Sequence, residues 1–179
     1  MEQQLSNNPI PSLYEWAGGM KVFEDLIIRF YKKVADDDLI GPVFRHMSAN
    51  HQLHVAHFIA EVFGGPRIYS GQEGSHHQMI QKHLGKHLTE EMRKRWVALL
   101  VETADEMSLP EDPEFRSAFV AYIEWGTRIA VLNSNTELPV STPDLPMPEW
   151  GWGVPGKPYM PDSQASINPP VATNLPAAQ

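Results

Sequence analysis

The sequence predicts an all-α fold, and three observations carry that prediction. Apolar side chains recur every three or four residues in five separate stretches, recognisable helix-capping residues open two of them, and no stretch alternates apolar with polar at strand spacing. The first stripe, Phe23, Leu26, Ile27, Phe30, Tyr31 and Val34, marks one helix. A second runs through His51, Val55, Phe58 and Val62 and stops at Gly64-Gly65-Pro66, a sequence that cannot continue a helix. After a Gly-bearing loop over Ile68 to Ser75, a shorter stripe of Met79, Ile80, His83, Leu84 and His87 is interrupted softly at Gly85. Thr89 caps the next helix, with Glu90 and Glu91 in its first turn and Met92, Trp96, Leu99, Leu100 and Thr103 along one side. Asp112-Pro113-Glu114 opens the last, whose inner face is Phe115, Phe119, Tyr122, Ile123 and Ala130.

A chain of 179 residues with 42% hydrophobic content is enough for one buried core. The absence of cysteine removes disulfide frameworks, thiolate zinc sites, iron–sulfur clusters and thiolate-ligated haem, so any metal must bind through nitrogen or oxygen. A formal charge of −8 argues against a nucleic-acid partner, which needs a clustered basic surface. Residues 1–12 are polar and resemble no leader, and no later segment is apolar over the length a membrane span requires; the chain reads as cytoplasmic, with no membrane partner. Ten of the sixteen prolines fall beyond Asn135. This divides the chain into an N-terminal extension (1–12), a helical domain (13–135) and a Pro-rich C-terminal extension (136–179). The extension's Trp150, Trp152 and Tyr159 are expected to pack on the domain or a partner, and disorder is expected from Asp162 onward. No repeat, GxGxxG or P-loop pattern is present.

All eight histidines lie between 46 and 87, and two of them, His51 and His83, sit on apolar faces of neighbouring helices. A lone buried histidine is most often a core residue bonded to a carbonyl, but clustering favours ligation. A zinc site on His83 and His87 has the one-turn spacing but no H-E-x-x-H pattern, and the one Glu-x-x-His spacing suited to a di-iron bundle, Glu73 to His76, lies in the Gly-bearing loop. Haem needs one axial histidine, a flat apolar slot and a few polar groups opposite.

Several segments together resemble a group II truncated haemoglobin over Leu13 to Asn135. Ala17-Gly18-Gly19 and Phe63-Gly64-Gly65-Pro66 with Tyr69 are similar to that family's two glycine motifs, and Arg29-Phe30-Tyr31 to its distal tyrosine segment. Met79-Ile80-Gln81-Lys82-His83, followed thirteen positions later by Trp96, resembles its proximal histidine and group-defining tryptophan. The resemblance implies a 2-on-2 helical sandwich around haem b, with His83 as the iron ligand. It implies Tyr31 and Trp96 as distal hydrogen-bond donors to bound dioxygen. Phe44 falls where the family places an aromatic, often hydroxylated, at the haem edge. His51 takes the distal-helix position facing the iron, with His54 and Val55 as alternatives; because the family commonly has a small residue there, a histidine would gate ligand entry or fill the sixth site. Phe58 and Met79 would line the slot, and Lys82, His87 and Tyr69 are candidates to pair with the propionates. His46, His54, His57, His76 and His77 are taken as surface or rim residues.

The function so implied is reversible binding of O2, NO, CO or another small ligand, with oxidation of nitric oxide to nitrate if an unidentified reductase restores ferrous iron. The alternative is a peroxidase-like or redox- or gas-sensing haem centre with the tail as an interaction arm. A helical module without haem and homodimerisation both stay open at this point.

Overall fold

The computed structural model describes residues 9–136 and 145–153. The described chain runs α1 (Leu13–Ala17), α2 (Met20–Ala35), α3 (Gly41–Phe44), α4 (His51–Val62), α5 (His76–Gln81), α6 (Glu90–Glu106) and α7 (Pro113–Ser134), with one π-helical turn at Tyr69–Glu73. No strand occurs among the described residues. The sequence reading misses α1, α3 and the π turn, all five residues or shorter and too brief to show a period. α1 is held instead by a capping box: Ser12 N–H donates to the Glu15 carboxylate at 2.8 Å and Glu15 N–H donates to Ser12 Oγ at 3.1 Å.

The predicted stripe of α2 is wholly buried from Phe23 to Val34 and forms the centre of the fold. α2 packs on α4 and α6, and α6 on α7, which sets one helix pair against the other in a 2-on-2 sandwich. Phe63, just past α4, joins the layers, with ring centroids 5.9 Å from Phe23, 6.0 Å from Phe119 and 5.2 Å from Tyr122. α4 ends where expected because the chain turns through Gly64 at φ +91°, and a Cβ on Gly65 would stand 2.7 Å from the Ala60 carbonyl oxygen and from the Tyr14 ring. Thr89 and Asp112 cap α6 and α7 as predicted, accepting from Met92 N–H and Phe115 N–H.

The third stripe is shorter than its sequence suggested. A Ser75–Gln78 capping box starts α5 at His76, but the helix closes at Gln81, and residues 82–85 tighten into turns in which His83 N–H donates to Ile80 O at 2.9 Å. Gly85 and then His87 take positive φ (66° and 51°), and His87 N–H is drawn to the Ser134 carbonyl at the end of α7. His87 is therefore exposed and off the helix.

Residues 145–153 of the Pro-rich tail lie on the domain. Trp150 N–H donates to Val62 O at 2.9 Å and its indole N–H to Ala118 O at 3.0 Å, while the Trp152 indole donates to Pro11 O at 2.7 Å. The expectation that these tryptophans pack back is met within the domain, so this part of the tail is no free arm; Tyr159 and the stretch from Asp162 fall outside the described residues. No described helix is long and apolar enough to cross a membrane.

Candidate functional site

The residues expected on the distal side grow directly out of the core. Tyr31 belongs to the buried stripe of α2 and is 2% exposed. Burial pushes its hydroxyl well above the usual phenol range, and the Trp96 side chain on α6 offsets part of that by hydrogen bonding. Trp96 stands edge-on to Phe30 with centroids 4.8 Å apart, which fixes the indole beside Tyr31. His51, the first residue of α4, brings Nε2 to 2.9 Å from the Tyr31 hydroxyl. Phe44 of α3 closes the group, 5.3 Å from the Tyr31 ring and 6.1 Å from His51. Burial first, then the charges of Lys82, His83 and His54, push His51 down to about 4, so it is neutral at physiological pH.

The turn after α5 comes within electrostatic reach of His51. The His83 Nδ1–H donates to the Met79 carbonyl at 2.9 Å, and burial holds the imidazole below its ordinary range against the opposing effect of that bond. A neutral ring whose Nδ1 carries the proton has its lone pair on Nε2, the form and orientation in which metal-ligating histidines are held. Lys82 is exposed, and its charge acts on both His51 and His83. Val55 and Met79 are partly buried against the core.

Other candidates lie elsewhere. Phe58 and Tyr69 form a separate edge-to-face pair at 5.1 Å, flanked by His54 and His76. The Tyr69 hydroxyl lies 3.5 Å from the Ser75 carbonyl, and the His87 backbone N–H bonds to Ser134 O at the end of α7. His57, read from sequence as a surface or rim residue, is a buried bridge: Nδ1 is 2.7 Å from Glu73 and Nε2 3.2 Å from Glu24, with its side chain 12% exposed. Nothing in the sequence pairs those residues, which come from three elements 16 and 33 positions apart.

These positions bear on which group the site suits. Among the described residues, no three His, Asp or Glu side chains gather at metal-binding distance. The His83–His87 zinc spacing is lost with the helix that would have created it, and Glu73 and His76 point to different partners, His57 and Pro146. A single anchored neutral imidazole, within electrostatic reach of a His51 that is bonded to the buried Tyr31, together with the partly buried Phe44, Val55 and Met79, fits haem.

The comparisons with known proteins agree. The bacterial-like globin family matches residues 12–125. A group 1 truncated haemoglobin of Nostoc commune is 30% identical over 89 residues, 43% of this chain and 75% of that protein. A group 2 truncated haemoglobin of Bacillus subtilis is 24% identical over 119 residues, 66% and 88% of the two chains. The crystal structure of the group II truncated haemoglobin from Bacillus anthracis superposes with a TM-score of 0.63 at 19% identity, spanning 75% of this chain and 98% of that one, which shows the shared fold. The chain belongs to the bacterial-like globin family: it is a truncated haemoglobin of 2-on-2 fold, with group II members among those it matches over most of their length, and it binds haem b and small gas ligands.

Proposed function

We propose that His83 is the iron ligand, that Tyr31, Trp96 and His51 act on the bound gas from the other side, and that the protein binds dioxygen reversibly and converts nitric oxide to nitrate. The observation that carries this is the Met79-anchored neutral His83 within electrostatic reach of His51, whose Nε2 meets the buried Tyr31 hydroxyl. When bound, the haem would supply ferrous iron, the one-electron reductant for converting nitric oxide and dioxygen to nitrate, and a reductase would return the iron to the ferrous state. The chain's part is to hold donors where negative charge develops on oxygen, inside a site with little water.

His51 decides which way the Tyr31 proton points. With its own proton on Nδ1, His51 accepts at Nε2 from Tyr31 and draws that hydroxyl away from a ligand. With the proton on Nε2, His51 donates to the Tyr31 oxygen, which frees Tyr31 O–H for the ligand and strengthens it as a donor. Phe44, which carries no hydroxyl, packs the other side of Tyr31 without competing for it. Lys82, exposed beside both histidines, is the residue we assign to a propionate. Residues 13–135 form the haem-binding unit in this reading.

Stopped-flow mixing of the oxygenated ferrous protein with nitric oxide tests it. One nitrate per haem, formed within the mixing time or close to it, is the expected result. Slow or substoichiometric nitrate beside rapid turnover of hydrogen peroxide would replace this reading with a peroxidase-like one.

A further inference from the structure

Six residues make α5, too few for a helix to be stable by its own hydrogen bonds, yet the turn that presents His83 follows directly from it. Part of what holds α5 comes from far along the chain. His76, its first residue, donates from Nδ1–H to the Pro146 carbonyl at 2.7 Å. Pro146 lies near the start of the segment 145–153, which is fixed at two further points. Trp150 bonds to the end of α4 and to α7 and stacks 5.7 Å from Tyr122 and from Trp125. Trp152, 9% exposed, bonds to Pro11 and stands 5.9 Å from Trp16 and 6.5 Å from Phe115. Between these points the segment stands away from the corner at Gly64, leaving a cleft of about 780 Å³ lined in part by Glu61, Arg67 and Glu149. It packs on the core through Met147, Trp150 and Trp152, and it lies beyond the residues the globin family matches, 12–125.

We propose that residues 145–153 form a strap that positions α5, and through it His83, from outside the shared globin fold, with His76 as the positioning residue that transmits its hold. The proposal rests on His83 being the iron ligand. Two indole anchors on the body of the domain make the strap a fixed point, and the His76–Pro146 bond ties the start of α5 to it. Release of that bond frees the first turn of α5 while its capping box and the core stay in place.

The test uses the full-length haem-loaded protein. His76→Ala is expected to speed transfer of haem to an excess of a haem-scavenging apoprotein by about 3- to 10-fold, the worth of one hydrogen bond. It is also expected to shift the iron–histidine stretching band of the ferrous protein in resonance Raman spectra. His76→Asn, whose side-chain N–H occupies nearly the place of Nδ1–H, should restore both. In a Trp150→Ala background, where the strap is loosened, His76→Ala should add little further change; should that background fail to fold, the His76→Ala and His76→Asn pair decides alone. An unchanged transfer rate and stretching band in His76→Ala overturn the strap, as does an undiminished His76→Ala effect in the Trp150→Ala background. His83→Gly in the same assay separates the two ideas: haem lost there with an unchanged transfer rate in His76→Ala removes only the strap, and haem retained in His83→Gly removes both.

Discussion

The two sides of the haem site we propose are built by different means. On the distal side Tyr31 is part of the most buried helix, its neighbours Phe30 and Trp96 are locked edge to face, and α4 delivers His51 at its first residue. On the proximal side His83 lies past the end of a six-residue helix, among turns, with one backbone carbonyl to orient its ring. The distal face inherits its rigidity from the core, so a change there alters the chemistry of the bound gas without unmaking the site. The proximal face has to be made rigid by local bonds, so a change there decides whether the cofactor stays.

The largest effect is therefore expected at His83. His83→Gly should weaken haem affinity by more than about 100-fold, beyond what loss of an outer-shell partner costs a metal site. Free imidazole should restore binding, because the space left by the side chain remains open toward the iron. Haem titration followed by absorption, with and without imidazole, measures both. Affinity unchanged in the variant would break the comparison at its root. Next comes Tyr31→Phe, which keeps the packing against Phe30 and Phe44 and removes only the hydroxyl. It should leave haem retention close to that of the parent and raise the dioxygen dissociation rate by about 10- to 100-fold, as loss of a hydrogen bond to a charged acceptor does. Flash photolysis and stopped-flow displacement give that rate. Haem loss in Tyr31→Phe would mean that the two faces are not separable in the way their construction suggests.

The same difference explains what could be read before any coordinates. The distal helix was plain because its inward residues repeat at the helical period and every one of them is buried, and the helix starts at Thr89 and Asp112 follow from local chemistry. The end of the proximal helix was not, because Met79, Ile80, His83 and His87 keep a helical spacing that the backbone abandons after Gln81. That ending depends on Ser134 and Asn135, which bind residues 87 and 88 from the far end of α7 and leave no trace in the local pattern. The bridge from His57 to Glu24 and Glu73 and the contact of His76 with Pro146 were equally hidden, since each joins elements distant in the chain. Histidine clustering marked out a region, but which of its histidines bridge distant elements, as His57 and His76 do, depends on tertiary contacts.

The smallest effect sharpens the comparison from the distal side, where His51 is held neutral. Its pKa in the folded protein is about 4 against an ordinary 6.5, so between these values the unfolded chain takes up a proton that the folded one refuses. Stability of the haem-free protein should be level above pH 6.5 and fall as pH drops toward 4. Because His51 is only half buried, solvent screening limits the expected loss between pH 7 and pH 5 to about 1 kcal/mol. His83, also lowered by burial, acts with the same sign and remains in the variant. His51→Gln keeps a group able to bond with Tyr31 but cannot titrate, so urea unfolding of the variant at the two pH values should show a smaller loss than the parent. An equal loss would mean that His51 reaches water freely in the folded chain, and the distal wall would then owe less to the core than its buried tyrosine implies.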